Sequence, residues 1–274
     1  MAASAHAPVI ALDEVAVVRD GRPLLADVTW TVQPGERWVV LGPNGAGKSL
    51  LLRLASTYLL PTRGRAWVLG RRVGGTDLRD LRTRIGYVSA TLARDVADPA
   101  TALDVVLTGK DATLRRWRQE FTPADHDRAL GLLRDVGCGS LAHAGFARLS
   151  EGERQRIQLA RSLMGEPPLV LLDEPSAGLD LPGRELLISA LSRLADDAAV
   201  AGVVFVTHHV EEIPPRFTHV ILLREGRIMA AGPIDDLLTD EALSTCFGVS
   251  VSVQRIGERY AAVAGRSAHA SGPL

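Results

Sequence analysis

The sequence predicts an α/β fold in which a mainly helical segment interrupts a chain of strands. Three observations support this prediction. From about Val9 to Tyr87, apolar runs and alternating patterns are separated by turn signals, as in a strand-rich region. From about Pro99 to Met164, the spacing of apolar residues becomes helical. Beyond Met164, short apolar runs return, and such runs are typical of buried parallel strands.

The N-terminal region is expected to form an antiparallel β-region followed by a buried strand. Val15–Val18 and Leu24–Val32 alternate or run apolar, and Asp20-Gly21 between them is a turn signal. Pro34-Gly35 marks the next turn, and the apolar run Trp38–Leu41 follows it. These features predict strands joined by tight turns.

Two helices are expected to begin in the middle segment. Thr101–Asp104 and Thr122–Asp125 each place a threonine three residues before an aspartate, and the second adds a proline at the first helical position. Gly137 is a candidate for the C-terminal cap of the second helix. The apolar residues of that helix recur at i, i+3, i+4 and i+7 as Ala129, Leu132, Leu133 and Val136.

The C-terminal part predicts parallel strands around a helix and then a hairpin. Leu169–Leu172 and Gly202–Val206 are apolar runs that flank a helical pattern from Gly183 to Leu194. Val220–Leu223 precedes the turn signal Glu225-Gly226, as in a hairpin. A short C-terminal extension over residues 236–274 follows.

The composition is that of an ordinary globular protein and gives no electrostatic argument for nucleic-acid binding. The 274 residues are 46% hydrophobic and 23% charged, with 31 Lys plus Arg against 32 Asp plus Glu. Cys138 and Cys246 have no metal-ligand spacing and are expected to be free thiols. The N-terminus lacks a signal-peptide pattern, and no apolar run approaches the length of a membrane helix. We therefore expect a cytoplasmic protein that reaches a membrane only through a partner.

The segment Leu41–Ser49 matches the phosphate-binding pattern G-x-x-x-x-G-K-[ST] between a strand and a helix. Its glycines allow the backbone to wrap around phosphates, and the following helix presents its positive end. Lys48 adds a full charge and is a candidate catalytic residue, while the Ser49 hydroxyl can ligate Mg²⁺. The alternative is a glycine-rich turn without a ligand. The predicted nucleotide-binding residues are Gly42, Pro43, Asn44, Gly45, Ala46, Gly47, Lys48, Ser49 and Leu50.

Two adjacent carboxylates, Asp173 and Glu174, follow the buried strand Leu169–Leu172. Open α/β sheets bind ligands at the carboxyl ends of their strands. If the strand geometry persists, the two side chains point to opposite sides and can hold different roles. Asp173 suits the Mg²⁺ side, and Glu174 suits the polarisation of an attacking water. The alternative is an acidic strand end that meets solvent.

Two further signals are weaker when they are read alone. Ser150-Glu-Gly-Glu153 is a capping box, which also fits a helix that is simply well capped, and Gly152 allows a close approach of the backbone. His208 follows a buried strand and is expected at the same sheet edge, although a lone histidine there is more often structural.

The order of these motifs resembles that of the nucleotide-binding domain of ABC ATPases. The resemblance covers roughly residues 9–235 and implies a P-loop NTPase fold with a RecA-like core and an N-terminal antiparallel β-region. It implies that the core comprises about residues 9–90 and 166–235 and that an ABC-type helical subdomain spans about 91–165. The implied reaction is Mg²⁺-dependent hydrolysis of ATP.

The resemblance also implies a head-to-tail dimer, formed with a second copy of the chain or with a paralogous ATPase, that encloses two ATP molecules. Ser150, Gly152 and Glu153 would belong to the signature segment that reads the γ-phosphate held by the other subunit. Ser176–Asp180 would cross the interface, and His208 would bridge the γ-phosphate and the attacking water. A closing dimer adds N–H donors and excludes water from the site.

The chain departs from the family pattern at three places. Ala90 occupies the position of a glutamine that, in the family, touches Mg²⁺ and water. Alanine cannot make these contacts, but Ser89 or a water could make them instead. The signature reads Ser-Glu-Gly-Glu, but it keeps Ser150 and Gly152. Arg19 stands where an aromatic residue stacks on adenine; its guanidinium could stack in the same way or could lie solvated at the surface.

The leading functional hypothesis is an ATP-hydrolysing subunit that powers solute transport through a separate integral-membrane permease. Thr101–Gly109 lies where the family receives the permease, and the motif style is closer to importers. The alternative is a soluble ABC protein that acts as a nucleotide-gated interaction module, as in translation or DNA repair. A single ATPase domain without a long coiled coil favours transport, whereas Ala90 favours the alternative.

Overall fold

The computed structural model describes residues 7–75, 77–89, 100–111 and 120–265. A parallel-dominated sheet and an antiparallel sheet share one apolar core, and a second apolar core lies between the larger sheet and the helices. The strands are β1 (Ile10–Arg19), β2 (Arg22–Val32), β3 (Arg37–Leu41), β4 (Arg63–Val68), β5 (Arg71–Arg72), β6 (Ile85–Val88), β7 (Leu169–Asp173), β8 (Gly202–Val206), β9 (His219–Arg224), β10 (Arg227–Pro233), β11 (Val251–Ile256) and β12 (Arg259–Ala264). The α/β fold class is confirmed.

The larger sheet has the strand order β10-β9-β3-β8-β7-β6. Strands β3, β6, β7, β8 and β9 pair in parallel, and β10 returns antiparallel to β9 through the turn at Glu225 and Gly226. The predicted parallel strands and the predicted hairpin are therefore confirmed. Because the central strands run in one direction, the segments that follow β3, β7 and β8 meet at one edge of the sheet.

The smaller sheet has the order β2-β1-β4-β5 and is antiparallel. Its first hairpin turns at Asp20 and Gly21, whose φ angles of 51° and 74° are those of a two-residue turn of the primed type. Its inward-facing residues, including Trp30 and Val32, pack with Trp38 and Val40 of the larger sheet in one apolar core. The β1–β2 hairpin is thereby fixed beside the end of β3.

The helices are α1 (Lys48–Ala55), α2 (Leu78–Thr83), α3 (Ala102–Leu107), α4 (Pro123–Asp135), α5 (Glu151–Leu163), α6 (Leu181–Asp196), α7 (Ile234–Leu237) and α8 (Asp240–Phe247). Capping boxes at Thr101 and Thr122 start α3 and α4, as predicted. The C-cap of α4 is Val136, and Gly137 follows with a φ of 71°, so the predicted glycine lies one position beyond the cap.

The chain beyond β10 folds back onto the larger sheet. Helix α8 packs on β9, and the hairpin of β11 and β12 follows it. Cys246 on α8 is fully buried, and its thiol donates to the carbonyl oxygen of Leu223 at 3.7 Å. Both cysteines are free, as the sequence predicts. Among the residues that the structure describes, no helix is long and apolar enough to cross a membrane.

Candidate active site

The loop between β3 and α1 is closely packed at two of its glycines. A Cβ on Gly42 would lie 2.1 Å from the carbonyl oxygen of Leu223, and one on Gly47 would lie 2.7 Å from Cδ2 of Leu25. Gly47 also has a φ of 101°, which disfavours other residues. At Gly45, by contrast, a Cβ would meet no atom within 4 Å. The loop is therefore fixed from behind by β2 and β9 and is open in front.

Lys48 begins α1 with its side chain almost fully buried under the loop. Its ammonium group donates to the carbonyl oxygens of Gly42 at 2.8 Å and Pro43 at 3.1 Å. Its Nζ also lies 3.6 Å from Oε1 of Glu174. Burial lowers the pKa of Lys48, and the Glu174 carboxylate opposes that change. The lysine thus places a positive charge between the loop and a carboxylate.

Ser49 and Asp173 meet across the sheet edge. The Ser49 hydroxyl donates to Oδ1 of Asp173 at 2.9 Å. Burial raises the pKa of Asp173, and the hydrogen bond from Ser49 opposes this rise. A hydroxyl and a carboxylate are hard oxygen donors of the kind that Mg²⁺ prefers, and Mg²⁺ sites in nucleotide enzymes use one or two such groups with phosphate oxygens. The residues present therefore fit a magnesium ion.

Glu174 does not continue the strand that carries Asp173. Strand β7 ends at Asp173, and Glu174 has a φ of 47° while its N–H donates to Val206 O at 3.1 Å. The strand geometry that would send the two side chains to opposite sides thus does not persist. Both carboxylates reach the loop, but Asp173 contacts Ser49 whereas Glu174 lies beside Lys48. The left-handed turn, rather than strand alternation, separates their environments.

His208 follows β8 and joins the same group of side chains. Its Nδ1 lies 3.3 Å from Oε1 of Glu174, and its side chain is half-buried. A cleft of about 350 Å³ is lined by Asn44–Leu50 and Glu174, and a second cleft that includes His208 also borders Glu174. The Glu174 carboxylate therefore lies where the phosphate loop and the histidine meet.

Sequence reasoning missed Glu212, which supports this edge from behind. Its carboxylate is almost fully buried, accepts a hydrogen bond from Ser176 Oγ at 2.6 Å and another from the Thr207 hydroxyl, and lies 3.5 Å from Nε of Arg184. It thereby joins the segment after Glu174 to the residue before His208. The available signal was a glutamate next to the apolar residues Ile213 and Pro214, since a charge in such a setting is usually paired.

Ser150, Gly152 and Glu153 form a separate cluster at the start of α5. The Glu153 carboxylate accepts from the Ser150 hydroxyl and main-chain N–H, both at 2.8 Å, and these bonds lower the pKa of Glu153. The predicted capping box is confirmed. A Cβ on Gly152 would lie 2.8 Å from Cδ2 of Leu179, so the backbone here approaches the segment after β7.

Arg19 and Ala90 are the two remaining positions that the sequence predicts to lie near the nucleotide. The Arg19 side chain is 81% exposed and lies 4.0 Å from Asp20 at the tip of the first hairpin. That hairpin borders the phosphate loop, because Leu24 O lies 3.4 Å from the position of a Cβ on Gly47. Ala90 lies outside the described residues, and the preceding Ser89 is buried.

The comparisons with known proteins agree with this geometry. A family model described as ABC transporter matches residues 25–177. An ABC transporter ATP-binding protein of Bacillus subtilis (strain 168), YlmA, is 39% identical over 248 residues, which are 89% of this chain and 93% of the relative. A solved ABC transporter described as of the metal-chelate type, in an inward-facing conformation, has a TM-score of 0.74 and 25% identity over 94% of this chain and 98% of that chain. A dimeric ATP-binding cassette bound to ADP and Pi has a TM-score of 0.71 and 25% identity over 82% of this chain and 98% of that chain.

Proposed function

Because the chain belongs to the ABC transporter family of ATP-binding proteins, we propose that residues 9–235 form one ATPase domain that drives a membrane permease. The RecA-like core comprises about residues 9–90 and 166–235, and the helical subdomain comprises about 91–165. Family membership implies ATP binding and hydrolysis. The residue roles below extend that conclusion to this chain.

The meeting of five side chains at one sheet edge carries the proposal. Lys48, Ser49, Asp173, Glu174 and His208 come from three separate segments, and each contacts another member of the group. In a P-loop ATPase these are the groups needed to hold phosphates, a metal ion and an attacking water. Their convergence supports residues Gly42 to Leu50 as the phosphate cradle.

Each of these side chains has a different role in the reaction. Lys48 and the loop N–H groups bind the β- and γ-phosphates of ATP. Glu174 orients the attacking water and accepts its proton, and His208 holds the Glu174 carboxylate and contacts the γ-phosphate. Ser49 and Asp173 would hold Mg²⁺. When bound, Mg²⁺ supplies positive charge that stabilises the phosphates as the bond to the leaving group breaks.

A second copy of the chain completes the site. Ser150, Gly152 and Glu153 start a helix whose N-terminus can face a phosphate held by the partner. The dimeric cassette with ADP and Pi supports this arrangement by likeness. Gly152 also lies close to Leu179, which belongs to the proposed interface segment Ser176–Asp180. A displacement of that segment would therefore move the signature segment.

A permease is the second partner. A relative named as the manganese transport system ATP-binding protein MntB, of Bacillus subtilis (strain 168), favours transport over a soluble interaction module. The protein then lies on the inner face of the cell membrane, held there by the permease. The permease docks beside Thr101–Gly109, in which Thr101, Leu103, Asp104 and Gly109 are partly exposed and the other residues are buried.

Two residues set this chain apart from the usual pattern. Arg19 stacks its guanidinium plane on adenine, since the hairpin that carries it borders the phosphate loop. Ala90 replaces a glutamine, so a water or Ser89 takes over its contact with the metal side of the site.

Substitution of Glu174 tests the proposed reaction. Glu174→Gln keeps the size of the side chain but removes the base, so ATP turnover should fall by at least ~10²-fold while ATP affinity is retained. Turnover is followed by phosphate release and affinity by a fluorescent ATP analogue. Glu241→Gln, an exposed residue on α8, is the matched control. Unchanged turnover in Glu174→Gln would remove this residue from the reaction.

A further inference from the structure

The C-terminal hairpin contacts the segment that carries His208. After His208 and His209 the chain forms a single helical turn, Val210–Glu212, before it enters β9. Strand β12 of the hairpin packs against this turn. The hairpin lies beyond residue 235, outside the proposed ATPase domain. This contact with the turn after His208 therefore comes from a part of the chain that has no assigned role.

Arg259 makes the polar part of that contact. Its guanidinium donates to Oε2 of Glu185 on α6 at 3.0 Å and to the carbonyl oxygen of Glu211 in the turn. The same NH2 group lies 3.4 Å from Oε1 of Glu185, and the side chain is only 28% exposed. A planar guanidinium that bridges a carboxylate and a carbonyl fixes both orientation and distance.

The opposite side of the turn is fixed by its own glutamate. Glu212 holds the hydroxyl of Thr207, which is the residue before His208, and it lies 3.5 Å from Nε of Arg184. Arg184 and Glu185 are neighbours on α6. Arg184 lies beside Glu212 of the turn, and Glu185 is joined to the turn through Arg259. The turn is therefore clamped between α6 and the hairpin.

The clamped turn begins two residues after His208. His208 Nδ1 lies 3.3 Å from Glu174 Oε1, and His208 reaches that position as the residue directly after Thr207. A displacement of about 1 Å at a reacting group can lower a rate by up to ~10²-fold. Within the described chain, Nε of Arg259 is buried without a hydrogen-bond partner, and such an incompletely paired arginine is a poor source of stability.

We infer that Arg259 is a positioning residue for ATP hydrolysis, and that the C-terminal hairpin holds the turn Val210–Glu212 so that His208 stays within reach of Glu174. The inference rests on the proposed function, because it needs His208 and Glu174 to act in hydrolysis. Arg259 contacts neither of these side chains and acts through the main chain of Glu211.

The test compares full-length variants in MgATP hydrolysis. Arg259→Ala should lower kcat on the order of tenfold, with KM and the affinity for a fluorescent ATP analogue within about twofold of the unchanged chain. Arg259→Lys keeps the charge but replaces the planar guanidinium fork with a single ammonium group, so it should restore kcat only in part. Arg255→Ala is the matched control on the same hairpin, since Arg255 is exposed and lies 3.5 Å from Asp235.

A second measurement separates positioning from packing. In a His208→Ala background, measured by single-turnover hydrolysis, Arg259→Ala should have no further effect on the rate, because the residue it positions is gone. An undiminished further loss, or an unchanged kcat in Arg259→Ala, would overturn the inference. If Arg259→Ala does not fold, Glu185→Ala removes the carboxylate end of the same bridge and should lower kcat in the same direction.

The two proposals fail differently. Full turnover in both Glu174→Gln and His208→Ala would overturn the proposed reaction and the role of Arg259 with it. A loss of turnover in those two variants together with normal turnover in Arg259→Ala would overturn the role of Arg259 alone.

Discussion

Glu212 is a buried charged residue outside the phosphate site, and its removal should strongly destabilise the protein. Its carboxylate is 2% exposed, accepts from Ser176 and Thr207, and lies 3.5 Å from Arg184. Glu212→Ala would leave two hydroxyl groups and a guanidinium without this acceptor. The free energy of unfolding should therefore fall more than it would for an ordinary surface change.

The size of the effect follows from those contacts. Removing one partner from a buried ion pair costs about 3–5 kcal/mol, a range that includes the loss of hydrogen bonds to the charged group. We take about 4 kcal/mol, because Arg184 is partly exposed and regains some solvation. A loss of about 2 °C in Tm per kcal/mol applies to a chain of this length, so Tm should fall by about 8 °C. Glu212→Gln keeps the shape and one acceptor and should lose about half as much.

Thermal unfolding without nucleotide, followed by circular dichroism or calorimetry, measures this change. The control is Glu211→Ala, since Glu211 is adjacent in the chain but its side chain is 44% exposed and lies 3.5 Å from His209. That variant should stay within about 2 °C of the unchanged protein, as expected for an exposed side chain. The reasoning is refuted if Glu212→Ala and Glu211→Ala unfold at the same temperature.

Three further predictions concern the nucleotide site. Lys48→Ala should abolish tight ATP binding, because the buried ammonium group is the main cation at the loop; retained micromolar affinity would contradict this assignment. Asp173→Asn should raise Tm of the nucleotide-free protein near pH 7.5, while Asp236→Asn, an exposed control on α7, should not. The sign follows from the raised folded-state pKa of Asp173: its ionisation opposes folding above that pKa, and the penalty disappears as the pH falls below the ordinary value of 3.8, so the gain in Tm should shrink in acid. A gain that is independent of pH would contradict this cause. Ala90→Gln should leave ATP turnover equal or higher, and a clear drop in phosphate release would mean that the site depends on alanine.

Local sequence signals were sufficient for much of the fold. The caps at Thr101 and Thr122 and the turn at Asp20-Gly21 depend on residues within three or four positions of each other, so their geometry can be read directly from the chain. The apolar strands before Asp173 and His208 likewise predict that these side chains end at one sheet edge.

The remaining features depend on contacts between distant segments. No residue near Glu174 in the sequence predicts its left-handed backbone, which is held by a hydrogen bond to Val206. The approach of Gly152 to Leu179 and the contact of Arg259 with Glu211 likewise join parts of the chain far apart in sequence. Such contacts come from tertiary packing, which periodicity and local motifs do not encode.

The carbonyl group of Leu223 has a neighbour on each side. One neighbour is Gly42, where even a methyl group would come within 2.1 Å of the oxygen, and the other is the thiol of Cys246. A single peptide group therefore separates the first glycine of the phosphate loop from the last helix of the described chain. A larger side chain at position 246 would press on this peptide group and reach the loop from behind. Such a substitution would weaken nucleotide binding although the phosphate-binding sequence itself is intact.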